Sequence, residues 1–296
     1  LIMLNDGFRL KKLTLKNYNI FKKLYDDNFI FNKLNEDFIF NYNKSDIIDK
    51  FFLRKQLYLI KKQNSYIGYM WISKVGSKGL NYMINTLCIA KDHLNDDLRG
   101  ALSSLSNKNL YFYDVLPNEF NLSCLEKLGF VENDCTCELN KHITNYEDII
   151  VPDNIEFVTF KAGKHERIRC NLQNDIFMNV ERQPLTISDI FLDEIQQYYV
   201  SDWCIFLKYD SKYIGYGQII KSSGTPLIVN FGIIKQYRGL GFGELFLTYL
   251  LNLIYRSDYT QVNIRVSLKN TAAYSLYKKK GFEKAIIYNN MIYRGL

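Results

Sequence analysis

The chain has 296 residues, of which 47% are hydrophobic and 23% are charged, so it is not predicted to be a disordered or fibrous chain. Its length suits two domains of ordinary size. The net charge of +7 is modest and the longest basic run is Lys278-Lys279-Lys280, so we predict no nucleic-acid binding. Because no stretch has the length of a membrane span or of a secretory leader, we also expect no membrane association.

Six scattered cysteines and three histidines show no spacing typical of metal ligands. Cys135 and Cys137 lie on a predicted strand without a second pair. We therefore expect reduced thiols, a cytoplasmic protein and no metal site.

The first half begins with a predicted strand at 8–13, which is followed by helical stretches through 20–56. A hairpin is predicted from the apolar runs 57–60 and 66–72, which flank a polar turn. The second half repeats this hairpin at 204–207 and 213–216.

The repeat extends further, because Lys127-Leu128-Gly129-Phe130 matches Lys279-Lys280-Gly281-Phe282. The economical interpretation is a tandem duplication, with domains at 1–145 and 146–296. The polar segment 141–154, which contains Pro152, is predicted to join them.

The second copy is predicted to start with a strand at 155–160, followed by two helical stretches between 163 and 200. Thr186 or Ser188 is available as a helix cap. An apolar run then follows Pro226 and leads, through a basic glycine-rich loop, into a helix from Glu244 to about Tyr255.

Three glycines at alternate positions mark this loop: Gly239, Gly241 and Gly243. Without side chains, several backbone N–H groups can converge on one anion, and the helix adds the positive end of its dipole. Arg238 can pair with a phosphate oxygen. A dinucleotide fingerprint fails because its third glycine falls on Glu244, and a P-loop fails because no Gly-Lys-Ser/Thr follows. The loop is thus predicted to hold a pyrophosphate.

A second motif follows an alternating strand at 262–268. Asn270 is a good N-cap, while Ala273, Leu276 and Tyr277 share one face of the predicted helix, which Gly281 ends.

The loop pattern R/Q-x-x-G-x-G/A and the later N-x-x-A-x-x-L-Y-x-x-x-G-F resemble the two signature segments of the GCN5-related N-acetyltransferase (GNAT) superfamily. The resemblance implies an α/β fold with a mixed sheet, in two tandem GNAT-like domains. It also implies transfer of an acetyl group from acetyl-CoA to a primary amine, either on a small molecule or at a protein or peptide terminus.

The resemblance implies a cofactor site that comprises Phe231, Gly232, Ile233, Arg238, Gly239, Leu240, Gly241, Phe242, Gly243, Glu244, Asn270, Ala273 and Tyr277. The pantetheine arm is expected along the strand edge at 231–233, and an N–H near Ile233 is expected to stabilise the oxyanion. Tyr277 is the candidate general acid for the departing thiolate.

No general base is assigned. The strand before the loop offers Asn230 and no acid, and Glu181, Asp175, Asp189 and Glu244 are conceivable but typical of solvated surface charges. A water chain is the alternative.

The first copy is predicted to bind no CoA. Leu94, Asp97 and Arg99 stand where Arg238, Gly241 and Gly243 stand in the second copy, and Leu125 replaces Tyr277. We expect carboxylates in this loop to repel a diphosphate.

Two other functions remain open. One is an acetyl-CoA-binding sensor or partner-docking protein without turnover, and the other is an acyltransferase with a longer acyl donor or an oxygen acceptor. The sequence does not predict the oligomeric state.

Overall fold

A computed structural model describes residues 7–76, 80–177, 184–222 and 224–295. The chain forms two compact units, each built on a sheet with helices packed against it. The first unit comprises residues up to Cys135 and those from Tyr288 onward, and the second comprises Thr136–Ile287.

The first half of the chain contributes six strands and five helices within the described residues. These are β1 (Phe8–Lys12), α1 (Tyr18–Tyr25), α2 (Asn28–Phe31), α3 (Phe38–Lys44), α4 (Ile47–Gln56), β2 (Leu57–Lys62), β3 (Ser65–Lys74), β4 (Asn81–Ile89), β5 (Leu110–Val115), α5 (Leu122–Leu128) and β6 (Val131–His142). The first strand, the helical stretch and the hairpin predicted from the sequence are confirmed.

The second half contributes six strands and four helices within the described residues. These are β7 (Ile155–Thr159), α6 (Glu166–Phe177), α7 (Ile187–Glu194), β8 (Cys204–Tyr209), β9 (Lys212–Ser222), β10 (Thr225–Ile233), α8 (Phe242–Tyr255), β11 (Gln261–Ser267), α9 (Thr271–Lys279) and β12 (Glu283–Tyr293). The predicted strand, loop and helix around the glycines are confirmed, as is the predicted cap, since Thr186 and Asp189 form a capping box on α7.

The two halves exchange their closing strands. In the first unit the strand order is β1-β2-β3-β4-β5-β12, because Asn289–Tyr293 of β12 pairs antiparallel with Tyr111–Val115 of β5. In the second unit the order is β6-β11-β10-β9-β8-β7, because Thr136–His142 of β6 pairs antiparallel with β11. The units therefore divide differently from the expected boundary after residue 145.

Each unit has a hydrophobic core of its own. The core of the first unit includes Phe21, Phe38 and Tyr69, whose rings meet edge to face at 5.0 and 5.3 Å between centroids. In the second unit, one cluster packs α8 and α9 on the sheet and a smaller cluster packs α6 on β8 and β9. Mixed strand direction with helices on the sheet confirms the predicted α/β class.

The hairpins of the two units share a detail. In each, the strand register shifts by one residue just before a glycine, between Ile60 and Lys61 opposite Gly68 and between Leu207 and Lys208 opposite Gly215. A Cβ on Gly68 would lie 2.3 Å from the Cys88 carbonyl oxygen, and one on Gly215 would lie 3.2 Å from the Gly232 carbonyl oxygen. The same backbone approach at the same place supports a duplicated unit.

Candidate functional site

The candidate site lies where two parallel strands of the second unit separate. The recorded pairing of β10 with β11 is limited to Leu227 with Asn263 and Ile228 with Ile264. Beyond these pairs a cavity of about 160 Å³ lies between the strands. Its lining includes Phe177, Asn230, Phe231, Ser267, Asn270 and Tyr277.

A β-bulge shapes the β10 side of this cavity. Val229 pairs with Gln218 and Gly232 pairs with Tyr216, so Asn230 and Phe231 together stand opposite one residue of β9. Asn230 has a φ of +50°, a left-handed conformation that asparagine tolerates better than most residues. The irregular backbone therefore lies at Asn230 and Phe231, whereas Ile233, where the oxyanion-stabilising N–H was expected, is in regular register with Gly215.

Gly232 is required by close packing. A Cβ at this position would lie 2.3 Å from Ile176 Cγ2, so only glycine allows the last turn of α6 to approach the strand this closely.

The glycine-rich loop presents backbone to open space. Gly239 and Gly241 have φ values of +80° and +85°, and a Cβ at either one would meet no atom within 4 Å. Gly241 is also the N-cap of α8, and no side chain caps this helix end. The first N–H groups of a 14-residue helix therefore lie beside two glycines that face open space, an arrangement that suits a diphosphate.

Arg238 has a different position from the one expected. Its Nε donates to the Ile233 carbonyl at 2.7 Å and its Nη2 donates to the Ile176 carbonyl at 2.9 Å. It thus ties the loop to the end of β10 and to the C-terminus of α6, where unpaired carbonyls attract a cation. In this position Arg238 anchors the loop instead of reaching for a phosphate.

Tyr277 is brought to the cavity by α9. Its side chain is 4% exposed, and its ring lies 6.3 Å from that of Phe231 and 5.9 Å from that of Phe282, between centroids. Burial raises the pKa of the Tyr277 phenol, which therefore stays protonated at neutral pH. A buried neutral phenol beside the separated strands can donate a proton or a hydrogen bond.

The remaining predicted residues lie at two helix ends. Asn270 caps α9, because its side chain accepts from the Ala273 N–H at 3.2 Å, and it also lines the cavity. Leu240 at the loop tip is exposed, and Phe242 packs at 5.0 Å from Tyr209, between ring centroids.

None of the acids considered as a general base lines the cavity among the described residues. Asp189 belongs to the capping box of α7, Asp175 is exposed, and Glu244 pairs with Lys279 at 2.6 Å. Glu181 lies outside the described residues. The lining described here contains no carboxylate.

Sequence reasoning missed a buried polar network beside the bulge. Arg169 of α6, which is 1% exposed, forms an ion pair with Asp193 of α7 and donates to Gln218 Oε1 at 3.0 Å. Gln218 donates to Asp193 at 3.0 Å and accepts from Asn230 at 3.1 Å. No motif signals this network, because polar residues on α6 and α7 are equally typical of a solvated helix face.

The corresponding loop of the first unit is built differently. After β4, one 3₁₀ turn at Lys91–His93 is followed by turns and bends as far as β5, with no α-helix among these residues. Asp97 is held by Arg99, whose hydrogen bonds lower the pKa of Asp97 to about 2. Asp96 pairs with Lys62 at 2.9 Å. The expected repulsive carboxylates are therefore largely neutralised by cations.

The edge of β4 in the first unit is also occupied. The Asn35 side chain donates to the Leu87 carbonyl at 2.9 Å and accepts from the Leu87 N–H at 3.3 Å. The Tyr113 hydroxyl donates to Asn35 Oδ1 at 2.8 Å. A side-chain amide and a phenol thus fill the place where β4 and β5 separate.

Comparisons with known proteins agree with this geometry. The family model described as acetyltransferase (GNAT) domain matches residues 201–284, which contain the separated strands, the loop and Tyr277. No curated protein sequence matches the chain.

Three solved structures are similar in fold. A GCN5-related N-acetyltransferase from Sphaerobacter thermophilus has a TM-score of 0.66 at 13% identity, over 98% of this chain and 96% of that chain. A GCN5-related glucosamine N-acetyltransferase region of a fungal multi-domain β-N-acetylglucosaminidase gives 0.65 at 14% identity, over 98% of this chain and 38% of that chain. A tandem GNAT protein from the clavulanic acid biosynthesis pathway gives 0.54 at 13% identity, over 81% and 83%.

The matched segment identifies residues 201–284 as a GNAT acetyltransferase domain. The similar solved structures show that the chain has the fold of GCN5-related N-acetyltransferases in its tandem form.

No described helix is long and apolar enough to cross a bilayer. No group of three or more His, Cys, Asp or Glu side chains in these residues has the arrangement needed to hold a metal ion.

Proposed function

We propose that the chain is an acetyl-CoA-dependent N-acetyltransferase whose active site is the cavity of the second unit. The observation that carries this proposal is that three features converge on one place. The glycine-rich loop at the start of α8, the separated β10 and β11, and the buried Tyr277 all belong to one continuous segment of the second unit.

The residues present fit acetyl-CoA as a substrate. The backbone N–H groups from Gly239 to Gly243 would bind the diphosphate, since the space in front of Gly239 and Gly241 is open. The Glu244 N–H already donates to the Gly241 carbonyl at 3.1 Å. The edge of β10 beyond Ile228, which has no recorded pairing with β11, would bind the amides of the pantetheine arm. Asn270 and Ala273 would contact it from the start of α9.

Tyr277 is proposed to protonate the departing thiolate. A phenol pKa near 10 against a thiol pKa near 8.5 already makes this transfer uphill by about 2 kcal/mol, and burial raises the phenol pKa further. Burial in the same site also raises the pKa of the CoA thiol. The difference between the two pKa values therefore stays small enough for proton transfer from a phenol that is held in position. The backbone at the Asn230–Phe231 bulge is proposed to stabilise negative charge on the thioester oxygen.

The acceptor is proposed to be a primary amine, on a small molecule or at a protein or peptide terminus. The first unit is proposed to be a scaffold without a CoA site. The six free cysteines fit the reducing, cytoplasmic environment expected from the sequence.

One observation favours a second candidate, an acetyl-CoA-binding protein without turnover. The described lining of the cavity contains no carboxylate that could accept a proton from the amine. An acyltransferase with a longer acyl donor or an oxygen acceptor is the alternative among enzymes.

Calorimetry and turnover together test the proposal. We expect one equivalent of acetyl-CoA to bind, and we expect a panel of primary amines to produce thiol release above the rate without amine. Binding without release on any amine supports the non-catalytic candidate, whereas failure to bind acetyl-CoA contradicts both.

A further inference from the structure

Asn230 takes part in both the cavity and the buried polar network. It lines the cavity between β10 and β11, and it is also the last member of the buried network that begins at Arg169 and Asp193. This double membership is informative because a side-chain amide has two chemically different ends, a donor NH2 group and an acceptor oxygen.

The network fixes the orientation of Gln218. Arg169 has only donors and it approaches Gln218 Oε1 at 3.0 Å, while the Asp193 carboxylate paired with Arg169 accepts from Gln218 Nε2 at 3.0 Å. In the opposite orientation of the Gln218 amide, its NH2 group would face the Arg169 guanidinium, which is also a donor. Its oxygen would then face the Asp193 carboxylate, which is also an acceptor. Since Gln218 is fully buried, water cannot compensate for either mismatch.

The orientation of Asn230 follows from that of Gln218. Because Gln218 presents an oxygen to the bulge, Asn230 must donate to it, and Asn230 Nδ2 does so at 3.1 Å. The other end of this amide, Asn230 Oδ1, accepts no hydrogen bond from the described residues. Since Asn230 lines the cavity, Oδ1 is available to a ligand there.

We propose that Asn230 Oδ1 accepts a hydrogen bond from the nucleophilic amine of the acceptor, and that Gln218, Asp193 and Arg169 are positioning residues that set this polarity. The proposal rests on the proposed acetyltransferase function and deepens it. The site then selects acceptors that carry a hydrogen-bond donor at the reacting atom.

An amide oxygen orients an amine but does not deprotonate it. As the C–N bond forms and the C–S bond breaks, nitrogen loses one proton to solvent and sulfur gains one from Tyr277, which regains it from water. Asn230 takes neither proton, so the amine must bind in its neutral form. The site therefore needs no carboxylate in the cavity.

A pair of substitutions separates the Asn230 side chain from its backbone. Asn230→Gly keeps a residue that adopts a φ of +50° without strain and removes the oxygen. We expect its Kd for acetyl-CoA to stay within about twofold, and its kcat/KM for the most active amine of the panel to fall about 10-fold. Asn230→Ala should lose the same kcat/KM and additionally unfold at lower urea concentration, because alanine is strained at this φ.

Gln218 provides the test of positioning. Gln218→Met fills the same space without polar atoms, so we expect the KM for the amine to rise while the KM for acetyl-CoA is unchanged.

The outcomes distinguish this proposal from the proposed function. If wild-type protein acetylates an amine and Asn230→Gly leaves kcat/KM for that amine unchanged, the proposal is wrong and the proposed function stands. If Asn230→Gly weakens acetyl-CoA and amine equally, the role belongs to the backbone and the proposal is likewise overturned. If the wild-type protein turns over no amine, both fail.

Discussion

The two units differ most in one loop, which follows β4 in the first unit and β10 in the second. In the second unit this loop leads into α8, which has 14 residues, whereas the described residues of the first unit form only turns before β5. Without a helix there is no row of unpaired N–H groups and no dipole end to attract an anion. The absence of an α-helix from the described residues between β4 and β5 therefore separates the two loops more than the presence of carboxylates does.

The units also differ at the strand edge beyond the parallel pairing. In the second unit this edge faces a cavity, but in the first unit Asn35 bonds both polar groups of Leu87, and Tyr113 completes the contact. In the first unit these backbone groups are thus bonded to its own side chains and are not available to the amides of a ligand. A duplicated sheet can keep its packing while its ligand-binding edge becomes part of the core.

The largest effect is expected at Gly241. Gly241→Asp places a charged side chain at a residue whose φ is +85°, at the N-terminus of α8. There the carboxylate competes with the diphosphate of acetyl-CoA for the backbone N–H groups. We expect acetyl-CoA binding, measured by calorimetry, to weaken by roughly 100-fold or more.

The matched control is Asp97→Gly in the first unit. It recreates the glycine without the helix, so the stoichiometry of acetyl-CoA should stay at one. A second equivalent in wild type or in this variant would show that the first unit keeps a cofactor site.

The next largest effect is expected at Tyr277. Tyr277→Phe should lower kcat by about 100-fold at unchanged affinity for acetyl-CoA, because the proton donor is lost and the packing is kept. Tyr274→Phe, on the same helix but outside the described lining of the cavity, is the control and should be near wild type. Equal rates for wild type and Tyr277→Phe would remove Tyr277 from the mechanism.

The pH dependence gives an independent check on Tyr277. Burial raises its pKa above 10, so the neutral, proton-donating form persists below pH 10 and is lost only as the pH rises through the raised value. We expect kcat at saturating amine to show no decline with rising pH up to pH 10. A decline near neutral pH that disappears in Tyr277→Phe would contradict the buried phenol.

A smaller effect, on stability, is expected at Asn35. Asn35→Leu leaves the Leu87 N–H and carbonyl without their partner in a buried place, so the free energy of unfolding in urea should fall by about 2 kcal/mol. Acetyl-CoA affinity should be unchanged, and Asn171→Leu on an exposed position of α6 should cost much less.

The smallest effect is expected at Arg238. Arg238→Lys cannot bridge the Ile233 and Ile176 carbonyls together, so the loop loses an anchor and acetyl-CoA should bind about fivefold more weakly. The dependence of affinity on salt concentration should match that of wild type. A weaker salt dependence in the variant would indicate that Arg238 contacts a phosphate directly.

Local patterns in the sequence predict much of this fold. Alternation at 262–268, the cap at Asn270 and the glycines from 239 to 243 each depend on neighbours within one turn or one strand, and each is found where it was predicted. Tyr277 was singled out by the family motif, and its burial beside the cavity agrees with that choice.

Features that depend on distant contacts were not predictable. The side chain of Arg238 has carbonyls of two elements within reach, and nothing in the loop sequence shows that it uses them. Asn35 and Leu87 are far apart in the chain, as are Arg169 and Gln218, so their bonds exist only once the sheet has formed. The sequence also gives no sign of which sheet β12 will join.

The exchange of closing strands has a consequence for biosynthesis. The sheet of the first unit lacks its edge strand until Asn289–Tyr293 has been synthesised, so β5 emerges from the ribosome with an unpaired, aggregation-prone edge. A chain that stops before β12 would keep that defect permanently. Cutting this protein between its halves would therefore yield two incomplete sheets.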